Sequence, residues 1–152
     1  MCIKSLPQLP HNGRGDARAA AAVAHLPNEV VCAGFSNGGA CAELLAATRS
    51  GARGAILMHA PPPIRALGWQ AWPGTVPVHV HFGEEDPLRS QPVIDDLAAA
   101  VRRSGANFDE YVYPGCGHLF ADPDLPAYKE TPAENMLHRV IAFLDSAGLT
   151  SQ

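Results

Sequence analysis

Short apolar runs of strand length alternate along this chain with segments of helical period, and that alternation limits the folds open to it. The runs are "EVVCAGF" (29–35), "RGAILMHA" (53–60), "VPVHVHFG" (76–83) and "FDEYVYPG" (108–115). Helix-forming segments stand around them at 16–26 ("DARAAAAVAHL"), 38–49, 92–106 and 131–148. Asp16 is a good cap, alanine is the best helix former, and Pro27 is the stop. Ser104 and Gly105 close 92–106, while Thr131 as cap and Pro132 at the first helical position open 131–148. Strands alternating with helices make βαβ units and a parallel sheet. Apolar strands agree, because strands of such a sheet are buried on both sides. The expected fold is α/β, with about four parallel strands and helices on both faces.

A chain of 152 residues holds one domain and one core, expected over 16–152 after an irregular tail at 1–15. Its net charge of -4 offers no general attraction to nucleic acid or anionic lipid. It has no apolar run of membrane-spanning length, and its first residues contain no signal-type apolar core. Neither a nucleic-acid partner nor a membrane is therefore expected, and the expected location is cytoplasmic. The cysteines form no CxxC pair and read as reduced thiols. Cys32 and Cys41 fit small core positions, and Cys116 fits a tight loop beside a histidine.

In open parallel sheets, chemistry collects at the carboxyl ends of the strands. That rule selects the loops beginning at Ser36, His59, Gly83 and Pro114. The first holds a G-x-S-x-G element, Gly34 to Gly38, directly between a strand and a helix. A serine hydroxyl is a poor nucleophile unless a base takes its proton, and a sharp turn lifts it clear of the backbone. Glycines at 34 and 38 are expected to let neighbouring elements pass close by. The backbone amide of Asn37, opening the next helix, is the candidate oxyanion donor. His118, after the last strand, is the candidate general base. Asp86, after the third, is the candidate partner for its imidazole because it lies furthest beyond the strand end. Glu84 and Glu85 remain alternatives to it.

Serine, acid and histidine thus occur in the chain order of the α/β-hydrolases. Moreover, "GFSNGG", "HFGEEDPL" and "YPGCGHLFADPDLPAY", with "RVIAFL" in the last helix, resemble the dienelactone hydrolase family of that superfamily. The resemblance runs from about residue 16 onward. It implies hydrolysis of an ester or lactone, with Ser36, Asp86 and His118 as nucleophile, acid and base. Dienelactone hydrolase proper uses cysteine as nucleophile, so Ser36 turns the expectation towards a general esterase or acyl hydrolase. The family has further strands, and a loop giving the second oxyanion amide, ahead of the nucleophile strand. Only 28 residues precede Glu29 here. The expectation is therefore a truncated α/β-hydrolase with an open sheet edge, covered by a homodimer or another partner.

Phe35, His59, Trp69 and Phe120 are the candidate substrate-binding residues, with the ester or lactone as the small-molecule partner. Trp72 suits the same pocket or ordinary packing equally. His79 and His81 share one strand face but lack a third ligand at metal spacing, so no metal is expected. No organic cofactor is implied. The competing reading is a non-catalytic remnant of the fold that binds a ligand or partner.

Overall fold

The computed structural model describes residues 21–59 and 71–148. In chain order the elements are β1 (Val30–Phe35), α1 (Asn37–Thr48), β2 (Ala52–Met58), β3 (Val78–Gly83), α2 (Gln91–Arg103), β4 (Phe108–Tyr113) and α3 (Glu130–Ser146). The expected helix at 16–26 is described only in part, residues 21–23 being helical. The tail at 1–15 and Trp69 lie outside the described residues.

The four strands form one sheet in the order β1-β2-β3-β4, every pair parallel. Crossovers between neighbouring parallel strands are right-handed as a rule, which sets α1 and α2 on a common face. Accordingly Ala42 and Ala46 of α1, and Ile94, Leu97 and Val101 of α2, pack with Ala55, Leu57, Val78, Val80 and Phe82. The chain then crosses to the other face, where Met136 and Phe143 of α3 pack with Ile56, Met58, Tyr113 and Phe120. The valine–histidine alternation in β3 serves both layers. Val78 and Val80 join the first core, and His79 and His81 meet Tyr111 and Phe143 on the α3 side.

Helix ends depart from expectation in one place. α3 starts at Glu130 with Lys129 in the cap position, so Thr131 and Pro132 lie within its first turn. The Ala133 amide donates to the Lys129 carbonyl at 3.0 Å, the first bond of that turn. Pro132 is tolerated because the leading amides of a helix have no intrahelical acceptor in any case. The stop after α2 is as expected, with Ser104 as C-cap and Gly105 left-handed at φ 92°.

Among the described residues β1 pairs with β2 alone, and Ala33 and Phe35 on it are exposed. No helix among them is long and apolar enough to cross a membrane.

Candidate active site

Ser36 occupies the single residue between β1 and α1. Its backbone is left-handed, φ 47° and ψ -118°, a conformation that costs a non-glycine residue energy and turns the side chain away from the sheet. The Ser36 amide donates to the Met58 carbonyl at 2.8 Å, which ties the corner to β2. The sharpness of the corner depends on Gly34, where a Cβ would stand 2.2 Å from the Gly38 carbonyl oxygen. The expectation for Gly38 itself is corrected, since a Cβ there would meet nothing within 4 Å. What Gly38 contributes to the close approach is its backbone.

β3 delivers Asp86 through a turn in which the Asp86 amide donates to the Gly83 carbonyl at 3.2 Å. That turn carries the carboxylate inward, to a wholly buried position. Glu84 instead stays exposed and accepts from the Gly115 amide at 3.2 Å. β4 delivers His118 on a loop bound to the acidic turn, with Glu84 N–H on the Tyr113 carbonyl and Glu85 N–H on the Cys116 carbonyl, both 2.9 Å. Cys116 is wholly buried in that loop, and burial pushes its thiol up, away from the reactive thiolate.

Three side chains from three strand ends therefore converge. Nε2 of His118 lies 3.1 Å from the Ser36 hydroxyl, and Nδ1 lies 2.9 Å from Oδ2 of Asp86. An ionised carboxylate only accepts, so Nδ1 carries the proton and Nε2 is free to accept from Ser36. The imidazole keeps a quarter of its surface exposed. Asn37 opens α1, so its amide is among the N–H groups without an intrahelical acceptor.

The other sequence candidates are placed differently. Phe35 is 48% exposed. It lines an apolar groove of about 360 Å³ with Leu119, Ala121, Asp122 and Pro123, bordering the site through the chain neighbours of Ser36 and His118. A second groove of about 410 Å³ shares Phe35 and runs on to Met136, Leu137 and Val140 of α3. His59 and Phe120 are wholly buried, and neither lines the two grooves. Phe120 sits in the α3-side core against Tyr113. Trp72 is core as well, its indole N–H donating to the Val76 carbonyl at 2.6 Å.

His59 has a role the sequence did not disclose. Its Nδ1 lies 3.2 Å from Oδ2 of Asp86, the atom that also meets His118. Burial lowers its pKa, opposed by the bond to Asp86, and so favours the neutral ring. The available signal was its place at the carboxyl end of the second strand. His59, Asp86 and His118 each offer a potential metal-ligand atom within 4.8 Å of the others, whereas the sequence reading sought such atoms at His79 and His81. In the arrangement seen, Oδ2 of Asp86 stands within hydrogen-bond distance of Nδ1 of both imidazoles. The non-glycine residues with left-handed backbone among those described are Ser36, His59 (φ 67°) and Leu119 (φ 58°), all at this rim.

Comparison with known proteins agrees with the architecture. The sequence profile described as "Dienelactone hydrolase family" matches residues 9–148. No curated protein matches the sequence. A dienelactone hydrolase-like promiscuous phosphotriesterase from metagenomic libraries superposes with a TM-score of 0.71 at 20% identity, over 90% of this chain and 63% of that one. Esterase 2 of Thermogutta terrifontis, phosphorylated by paraoxon, gives 0.70 at 18% identity, over 90% and 65%. A carboxylesterase of Bacillus cereus gives 0.54 at 23%, over 84% and 56%. The chain thus spans roughly three fifths of the length of these solved structures.

Proposed function

The chain belongs to the dienelactone hydrolase family, and from that premise we propose that it hydrolyses a small carboxylic ester or lactone. Ser36 is the nucleophile, His118 the general base and then acid, and Asp86 the carboxylate that orients His118. The observation that carries this reading is the unbroken hydrogen-bond path from the Ser36 hydroxyl through His118 to Asp86.

The Ser36 oxygen attacks the carbonyl carbon while its proton passes to Nε2 of His118. Negative charge collects on the carbonyl oxygen, where the Asn37 amide and the amino end of α1 stabilise it. The tetrahedral adduct collapses, and the departing alkoxide takes the proton from His118. Water then attacks the acyl-serine, giving a proton to His118. Release of the acid restores the Ser36 hydroxyl. The imidazolium formed in each half is held by Asp86. Every proton has a side chain to carry it, so the scheme draws on no cofactor. The groove beside Phe35 offers room for the apolar part of the substrate.

A second reading is favoured by the open outer edge of β1, which among the described residues has no paired strand. In that reading the chain binds a ligand or partner without turnover. A fluorophosphonate probe separates the two, since organophosphorus reagents capture an activated serine. The hydrolase reading expects stoichiometric labelling that Ser36→Ala abolishes. A folded protein that resists the probe at every pH favours the binding module.

A further inference from the structure

Oδ2 of Asp86 has two imidazole donors. His118 approaches it at 2.9 Å and His59 at 3.2 Å, each through Nδ1. Oδ1 meanwhile accepts from the Leu88 amide at 2.9 Å. The carboxylate has nothing to donate, so Nδ1 of His59 must carry a hydrogen.

His59 is brought there by the backbone. Its amide donates to the His81 carbonyl at 2.8 Å, continuing the ladder one residue beyond β2. The strand ends at Met58, and the backbone of His59 is left-handed at φ 67°. The ring is enclosed by Phe35, stacked at 6.0 Å, and by Phe120 and His118, edge-on at 5.2 and 5.4 Å. It is wholly buried, unlike His118.

A carboxylate on a short side chain turns easily about its last bond, since that torsion has a broad profile. The Leu88 amide alone holds one oxygen and leaves the other to swing. We propose that His59 is a positioning residue: its Nδ1–H, as a second donor on Oδ2, clamps the Asp86 carboxylate in the orientation that receives His118. This rests on the hydrolase reading above and adds to it a fourth side chain. The clamp also draws off part of the carboxylate charge, so it sets how firmly Asp86 holds the His118 imidazolium.

The test compares wild type with His59→Asn and His59→Leu. Asparagine offers an N–H near the Nδ1 position, does not titrate, and tolerates left-handed backbone. Leucine fills the space without a donor. Two readouts are taken on the whole chain: the rate of fluorophosphonate capture by Ser36 from pH 5 to 9, and the tautomer of His59 by long-range ¹⁵N–¹H spectra. His59→Leu is expected to lose about 10–100-fold in capture rate. Its acid limb should move to higher pH, because a carboxylate relieved of one donor holds the imidazolium more strongly. His59→Asn is expected to keep the wild-type limb and a rate within about threefold. Wild-type His59 is expected as the Nδ1–H tautomer.

A folded His59→Leu with wild-type rate and limb overturns the clamp and leaves the hydrolase reading intact. A folded His59→Asn as impaired as His59→Leu reduces His59 to packing and also overturns it. If His59→Leu does not fold, the asparagine variant and the tautomer decide, and an Nε2–H ring overturns the clamp. If wild-type Ser36 resists capture at every pH, the hydrolase reading falls. The ¹⁵N spectrum then still decides whether His59 donates to Asp86.

Discussion

Gly83 lies so close against Cys116 that a Cβ on the glycine would stand 2.2 Å from the Cys116 carbonyl oxygen. The turn bearing Asp86 and the loop bearing His118 are therefore seated on each other backbone to backbone. Gly83→Ala must push that loop outward. The expected outcome is a folded protein destabilised by about 1–3 kcal/mol, as for an overpacked core, with Ser36 capture slowed about 100-fold. Thermal unfolding and probe kinetics on one sample check both. Wild-type kinetics in folded Gly83→Ala would mean that the loop yields without carrying His118 away.

Gly34 and Gly38 should respond in opposite ways although both belong to the same short motif. A methyl at 34 meets the Gly38 carbonyl at 2.2 Å and the Gly39 amide at 2.8 Å. A methyl at 38, inside α1, meets nothing. Gly34→Ala is expected to lose probe capture and to cost about 1–3 kcal/mol or more. Gly38→Ala should be neutral or add up to about 1 kcal/mol through helix propensity. Denaturant titration of the two variants reads the difference.

Removing the charge of Asp86 while keeping its shape tests the orienting role. Asp86→Asn presents an amide that can donate to Nδ1, which favours the wrong His118 tautomer. The expected loss in kcat is about 10⁴-fold on a p-nitrophenyl ester, against near-complete loss for Ser36→Ala. A loss below tenfold would transfer the role to Glu84 or Glu85.

His81 makes stability depend on pH. Burial, reinforced by His79 and Arg139, lowers its pKa to about 3, and Nδ1 meets the Tyr113 hydroxyl at 2.9 Å. The unfolded chain takes up a proton at this residue near pH 6.5, while the folded chain does not until about 3. Unfolding free energy therefore falls as pH drops through that window, by about 1.4 kcal/mol per unit for this group. His59 and His79, also lowered by burial, act in the same direction. In His81→Asn the slope between pH 6 and 4 should flatten by about one proton, whatever the absolute stability. Chemical denaturation at several pH values measures it, and an unchanged slope would contradict the assignment.

The strands and their parallel pairing were legible because the apolar runs are short, and the chain interposes helix-forming residues between them. The convergence of Ser36, Asp86 and His118 was legible because each follows a strand directly, so the sheet itself fixes their common end. His59 met the same condition. Its bond to Asp86 was hidden because it depends on a left-handed turn and on the depth of burial, and no local spacing encodes either. The burial of Phe120 was hidden for a related reason: an aromatic residue two places after His118 gives no sign whether the loop turns it outward or into the α3-side core. The start of α3 lies two residues earlier than expected because threonine before proline is a familiar cap pattern, yet Lys129 takes that position.

The awkward backbone of Ser36, His59 and Leu119 is gathered at a single rim. Each such corner withholds roughly 1–3 kcal/mol from the folded state. Heat tolerance and reactivity are therefore rival goals at this rim: a glycine at 119 would relax the chain and loosen the neighbouring imidazole in the same stroke. Hardening the protein without blunting it means working at the far end of the sheet.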